Sequence, residues 1–368
     1  MRSAPARKTR ASFLFFKKKK SGSTKGTKKI INRSTKKYFS QMAVGGVVFL
    51  SSFVFLGGYL VYKYLNQTFA SASTPSSYSI SGEKVVTLSF IEAESINSDP
   101  VILKSLKYII FDKNNDKVNV FDVPLTLQVD VAGRFGQEEV SKIFALGALN
   151  SQTPLEDGIV AVDNTLSKIF GYAVDRYVLV DSEYAEILLE SITGHGLSEV
   201  LNLQTASDLK QATVSDLSIR EYQSLASFSS KIPGDNVSSY SVAQEDINDT
   251  EKIDNQVSGI NFDGDISKEG LSVSVLNGTD ISGIASLGSR FISNAGGRVV
   301  AVSNASGKYD KSLIVSDMKD SDTVNYLSRV LGVETVISKS AAENYHENVI
   351  DRSDITVIIG FDTAESLY

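Results

Sequence analysis

The chain has 368 residues, 42% hydrophobic and 22% charged, which lies within globular composition and excludes a wholly disordered, collagen-like or polytopic membrane protein. It has no cysteine, which excludes disulfides, zinc-thiolate sites, iron–sulfur clusters and cysteine nucleophiles, and its two histidines, His195 and His346, are far apart with no metal-binding spacing. The formal charge of -6 hides an asymmetry: residues 1–40 hold 14 basic residues and no acid, leaving 23 basic against 43 acidic residues in the remainder.

Met42 to Tyr62 (MAVGGVVFLSSFVFLGGYLVY) is a run of 21 residues without a charge. At ~1.5 Å rise per residue it spans the ~30 Å hydrocarbon layer as one helix. The spacing therefore predicts a basic arm over 1–41, a transmembrane helix over 42–62 and a Ser/Thr-rich stalk over 63–82. The positive-inside bias puts the arm in the cytoplasm and everything after Lys63 outside, as a single-pass protein of the cell membrane. Ala70-Ser71-Ala72 has the small residues of a cleavage site, but Lys63 and Tyr64 separate it from an apolar stretch longer than a signal-peptide core, so the helix reads as a retained signal-anchor. The arm's partner is then the bilayer, with affinity for anionic inner-leaflet lipid of ~1 kcal/mol per basic residue near the surface. Without a folded reading module it points to no nucleic acid.

After the stalk, Val85–Phe90, Lys107–Phe111, Lys117–Phe121, Leu127–Val131 and Arg176–Val180 read as strands from their β-branched and aromatic content. Asp112 to Asp116 (DKNND) is turn chemistry joining the second and third as a hairpin, and lacks the closing Glu of a calcium loop. Helical spacing follows over Val140–Gly147. Thr153-Pro154-Leu155-Glu156 then opens, as a capping box, a helix that stops at Gly171, and Asp181 is placed to cap another that ends at Gly194. Residues 83–200 thus form one α/β domain. Residues 201–270 lose apolar density and read as a polar linker with room for short helices, one opened by Ser218-Ile219-Arg220-Glu221.

Residues 271–362 are the most regular. Leu271–Asn277 is a buried-type strand, and Thr279 or Asp280 caps a helix with an inner stripe from Ile281 to Ala295. Arg298–Asn304 returns as a strand, followed by a strand over Ser312–Val315, a helix over Asp322–Leu331 and strands over Glu334–Ser338 and Ile355–Ile359. This alternation predicts a small α/β domain with a largely parallel sheet. The fold class is therefore α/β: one transmembrane helix followed by two extracytoplasmic α/β domains.

The run VSVLNGTDISGIASLGSRFISNAGGRV, the strand ending Ser303-Asn304-Ala305 and the closing Val357–Asp362 (VIIGFD) together resemble the LytR C-terminal domain of bacterial cell-envelope proteins. The preceding domain resembles a diverged LytR-CpsA-Psr domain through KVNVFDVP (Lys117 to Pro124), Val129–Gly147 and RYVLVDSEYAEIL (Arg176 to Leu188). Active members of that family, the resemblance implies, transfer glycopolymers from a polyprenyl-pyrophosphate carrier to cell-wall material, using arginines, aspartates and a divalent metal. Here Pro124-Leu125-Thr126 replaces the family's Pro-Arg-Asp, no Arg-Ser-Asp-Thr element stands where Asn97-Ser98-Asp99-Pro100 lies, and the later arginine-rich stretch has no counterpart. A pyrophosphate needs guanidinium forks or carboxylate-held metal, and losing one such group costs ~10²–10³ in rate.

The expectation is a membrane-anchored extracytoplasmic cell-envelope protein without catalytic residues, binding envelope polymer or an envelope protein partner. A LytR-CpsA-Psr-type glycopolymer transferase in cell-wall assembly is the alternative, and a sensor the weaker third class. No metal or cofactor follows from the residues; magnesium or manganese would enter only with the transferase. Candidate binding residues are Asn277, Gly278 and Thr279, at a strand end and helix start where backbone N–H groups can face an anion, with Asp362 beside them. They match neither GxGxxG nor a P-loop, and no GxSxG or SxxK element points to a serine hydrolase.

Overall fold

The computed structural model describes residues 56, 59, 63, 78–194, 208–258 and 264–367. The basic arm, the predicted transmembrane helix apart from Leu56 and Tyr59, and the stalk up to residue 77 apart from Lys63 lie outside the described residues. Among the described residues no helix is long and apolar enough to cross a membrane.

The first domain contains β1 (Val85–Ala93), β2 (Leu103–Asp112), β3 (Lys117–Asp122), β4 (Gln128–Val131), β5 (Gly136–Glu139), α1 (Ile143–Ala148), α2 (Pro154–Phe170), β6 (Arg176–Asp181), α3 (Ser182–Thr193), β7 (Thr213–Ser215), α4 (Ile219–Ser229), β8 (Val237–Ser241), α5 (Gln244–Asn248) and α6 (Thr250–Ser258). Six strands form one sheet in the order β7-β6-β1-β2-β3-β8. β1 is buried along nearly its whole length because helices cover both faces of the sheet, which explains its unbroken apolar run. The β2–β3 hairpin forms as predicted: the Asp112 carboxylate accepts the Asn114 and Asn115 amides (3.0 and 3.1 Å), and Asp116 takes the left-handed φ of 51°.

Two expected caps form differently. Thr153 makes no side-chain cap; its hydroxyl donates to Asp157 (3.3 Å), while Pro154 takes the first helical position and Gly171 the left-handed end. Asp181 makes no cap either, because its carboxylate accepts the Ile96 amide instead (2.5 Å).

The polar linker expected over 201–270 is folded where it is described: residues 208–258 pack into the first domain and Gly264–Glu269 begins the second. β7 extends the sheet antiparallel to β6, and β8 closes the far edge parallel to β3. The Ser218–Glu221 capping box of α4 is complete, and Ile253 and Val257 of α6, one turn apart, enter the core beside α2. The segment reads as polar because β8 is a half-exposed edge strand and α6 spends only Ile253 and Val257 on the core. The stalk, too, ends earlier than expected, since Ile80 is 1% exposed and its amide donates to Glu221 (3.1 Å).

The second domain follows with α7 (Gly264–Glu269), β9 (Ser272–Asn277), α8 (Ile284–Asn294), β10 (Arg298–Asn304), β11 (Leu313–Ser316), α9 (Asp322–Val330), β12 (Val336–Ile337), β13 (Ile355–Ile359) and α10 (Phe361–Leu367). Its sheet runs β10-β9-β13-β11-β12. All joins are parallel except β11 with β13, as the alternation predicts. α8 begins at Ile284 with Gly283 (φ 88°) before it, so neither Thr279 nor Asp280 caps it. One apolar core runs through both domains, joining Ile169, Phe170 and Tyr172 to Phe291, Ile292 and Tyr326.

Candidate functional site

Asn277, Gly278 and Thr279 end β9 beside the end of β13, where Asn277 pairs in register with Ile359. Asn277 Oδ1 accepts the Thr279 amide (2.9 Å) and hydroxyl (2.7 Å), its Nδ2 donates to the Ile281 carbonyl (2.9 Å), and the Thr279 hydroxyl accepts the Ile281 amide (3.0 Å). These bonds close a local turn and consume the groups expected to face a ligand. The Asp362 carboxylate, at the same sheet edge, turns to β11 and accepts the Ser312 amide and hydroxyl (both 2.8 Å) and the Thr363 amide (2.7 Å). Burial pushes its pKa up, but the Ser312 and Thr363 donors outweigh burial and hold it below the ordinary carboxylate range.

Gly278 serves packing. Its amide donates to the Ile359 carbonyl (2.9 Å) and its carbonyl accepts the Tyr309 amide (2.7 Å), while a Cβ added there would meet Tyr309 Cδ2 at 2.8 Å. The loop from Ala305 to Ser312 thus crosses the strand ends with Tyr309 lying on Gly278. The Tyr309 hydroxyl donates to Glu347 (2.9 Å), a carboxylate that also accepts the Ser306 amide and hydroxyl.

In the first domain, Leu125 packs against the apolar core and its carbonyl accepts the Ser141 amide (2.9 Å). Pro124-Leu125-Thr126 therefore offers neither a guanidinium to a pyrophosphate nor a carboxylate to a divalent ion. The layer between the sheet and α2 is filled by rings, with Tyr108 stacked on Phe170 at 4.2 Å and Phe121 edge-on to Phe170 at 5.2 Å.

The buried Arg176 and the half-buried Arg290 and Arg329 are spent on carboxylates. Arg176 pairs with Glu221 (3.0 Å), Arg329 pairs with Asp175, and Arg290 pairs with Asp254 (2.6 Å). Arg290 and Asn294, on α8, also cap α2: Arg290 donates to the carbonyls of Lys168 (2.9 Å) and Ile169 (3.2 Å), and Asn294 to those of Phe170 (3.3 Å) and Gly171 (3.1 Å). A cavity of about 340 Å³ lies beside this joint, where Lys168 is held by Asp130 (2.5 Å).

A smaller cleft of about 180 Å³ is lined by Glu156, Asp163, Asp175, Arg176 and Asp216. Burial pushes the Asp163 carboxyl well above its ordinary value against the Ser89 hydroxyl bond (2.5 Å), and pushes Asp216 up to about 6 although the Tyr177 amide (2.9 Å) and Arg176 favour its charge. The sequence gives no sign of this pair, because Asp163 lies on a helix and Asp216 in a segment with no clear period. Among the described residues no group of three or more acids and histidines is placed to hold a metal ion.

Residues 270–362 match the family described as LytR cell envelope-related transcriptional attenuator, so the second domain belongs to the class of LytR C-terminal domains. No curated protein matches the chain. Similar solved structures include the transcriptional regulator YvhJ from Bacillus subtilis, 14% identical over 44% of this chain and 83% of that one with a TM-score of 0.33. B. subtilis TagV is 12% identical over 44% of this chain and 85% of its own, also at 0.33. The LytR-CPS2A-Psr family protein YwtF (TagT), with bound octaprenyl pyrophosphate lipid, is 12% identical over 52% and 98% at 0.31.

Proposed function

We propose that the chain is a non-catalytic protein of the bacterial cell envelope, held at the membrane by residues 42–62, that binds envelope polymer through its outer domains. The carrying observation is the commitment of three arginines: the buried Arg176 and the half-buried Arg290 and Arg329 each face a carboxylate of the same chain, and Leu125 joins the core. An arginine already matched to an internal carboxylate has little net charge to give a pyrophosphate, and freeing it leaves a buried acid unpaired. The family of the second domain supports the envelope setting. The long uncharged run after a basic arm supports the anchor, with the amino end inside.

Full-length protein in detergent, given a polyprenyl-pyrophosphate-linked glycopolymer with Mg²⁺ or Mn²⁺, is expected to transfer no glycan. Turnover above background overturns this reading in favour of the transferase. For topology, protease added outside intact cells is expected to digest the region after Lys63 and spare the arm; digestion of the arm contradicts the assignment.

A further inference from the structure

Tyr309 and Tyr345 stack with ring centroids 5.9 Å apart and an interplanar angle of 15°. The stack is built outward from the sheet. Gly278 leaves room for the inner ring, and Tyr309 is fixed on three sides: its amide donates to Gly278, its carbonyl accepts the Phe361 amide (2.9 Å), and its hydroxyl donates to Glu347. Glu347 is 8% exposed and ties the loop of Tyr309 to the segment that carries Tyr345. The outer ring stays open: Tyr345 is 37% exposed, between the exposed Asn344 and His346. His346 takes a left-handed φ of 53°, which turns the chain directly after Tyr345.

A rigid aromatic face at the carboxyl ends of β9, β10 and β13 stands where open α/β sheets place ligands. Its surroundings choose among ligands. A protein partner asks for a contiguous apolar patch of a few hundred Å², whereas here a single open ring lies among amide, imidazole and hydroxyl groups. A polyphosphate asks for free cations, and Lys308, the residue before Tyr309, is held by Asp280 (2.9 Å). A neutral sugar ring fits both conditions, since its C–H face covers an aromatic ring while its hydroxyl and acetamido groups meet polar side chains at the rim. We infer that the Tyr309–Tyr345 stack is a sugar platform, which takes a neutral amino-sugar ring of a wall glycan on the open face of Tyr345. This rests on the polymer-binding role proposed above and assigns its contact point.

The test uses full-length protein in detergent and two soluble probes, a β-1,4-linked tetramer of N-acetylglucosamine and poly(glycerol phosphate). Because the chain has 15 tyrosines, binding is read by titration calorimetry and not by tyrosine emission. The tetramer is expected to bind the parent protein, to bind Tyr345→Ala roughly tenfold more weakly, and to bind Tyr345→Phe within about twofold of the parent. Tyr345→Ala is expected to keep the parent's thermal midpoint, because the ring is outermost in the stack. Equal tetramer binding by parent and Tyr345→Ala overturns the platform and leaves the polymer-binding role standing. So does binding of poly(glycerol phosphate) without the tetramer. If the parent binds neither probe nor purified wall material, both the platform and the role fall.

Discussion

Arg290 forks onto Asp254, with Nε 2.9 Å from Oδ2 and Nη2 2.6 Å from Oδ1, and so joins α8 of the second domain to α6 of the first. The same guanidinium reaches two carbonyls at the end of α2, where the helix has no intrahelical donors left and its dipole favours a cation. Truncation would strip both functions at once.

Arg290→Ala is therefore expected to destabilise the protein by on the order of 2 kcal/mol in urea unfolding. Asp254→Ala should cost a similar amount, and the double variant less than the sum of the two, since each single change leaves one charge without its partner. Additive losses would contradict the coupling.

Asp216 gives a pH signature. Its carboxyl is raised to about 6 by burial, so between the unfolded value of about 4 and pH 6 the folded chain holds a proton the unfolded chain has lost. Its contribution to stability is greatest below pH 4 and is lost as the pH rises through 6. Asp216→Asn, which keeps an oxygen to accept the Tyr177 amide, is expected to raise the thermal midpoint at pH 7–8 and flatten the slope between pH 4 and 6. An unchanged slope would remove Asp216 as its source.

Asp362 has the opposite sign. Its carboxyl is held low by Ser312 and Thr363, so it stabilises above the ordinary carboxylate range and that contribution is lost as the pH falls through its folded value. Asp362→Ala leaves three donors without their acceptor and is expected to cost about 2 kcal/mol at neutral pH, measured by denaturant unfolding. If Asp362 instead served a ligand and not the fold, stability would be unchanged.

Gly278→Ala places a methyl 2.8 Å from Tyr309 Cδ2 and 2.9 Å from the Ile359 carbonyl. The backbone oxygen cannot step aside as a side-chain tip could, so a loss of about 1–3 kcal/mol is expected in the same measurement. A neutral substitution would mean that Tyr309 does not lie on Gly278.

The second domain was legible because its punctuation is local: Gly296 and Gly332 take the left-handed conformations that end α8 and α9, and Val273, Val275 and Val357 are buried in short parallel strands. At Asn277-Gly278-Thr279 the strand-end turn is legible because Asn277, Thr279 and Ile281 close it locally, whereas the seat of Tyr309 on Gly278 is not, since the two are distant in sequence. The stretch 208–258 read as a linker for a related reason. β7 is three residues long and β8 is an edge strand, so partners supply what their own apolar content does not. Asp163 with Asp216, and Arg290 with Asp254, carry no local pattern, because each pair is created by packing between elements.

We propose that the two domains hold envelope polymer without processing it. The most direct measurement incubates full-length protein with purified wall material and a labelled polyprenyl-pyrophosphate-linked polymer, with Mg²⁺ or Mn²⁺ present, and follows co-sedimentation and label transfer together. Co-sedimentation with the wall material and no transferred label is the predicted result; label moved onto the wall in proportion to protein would contradict it.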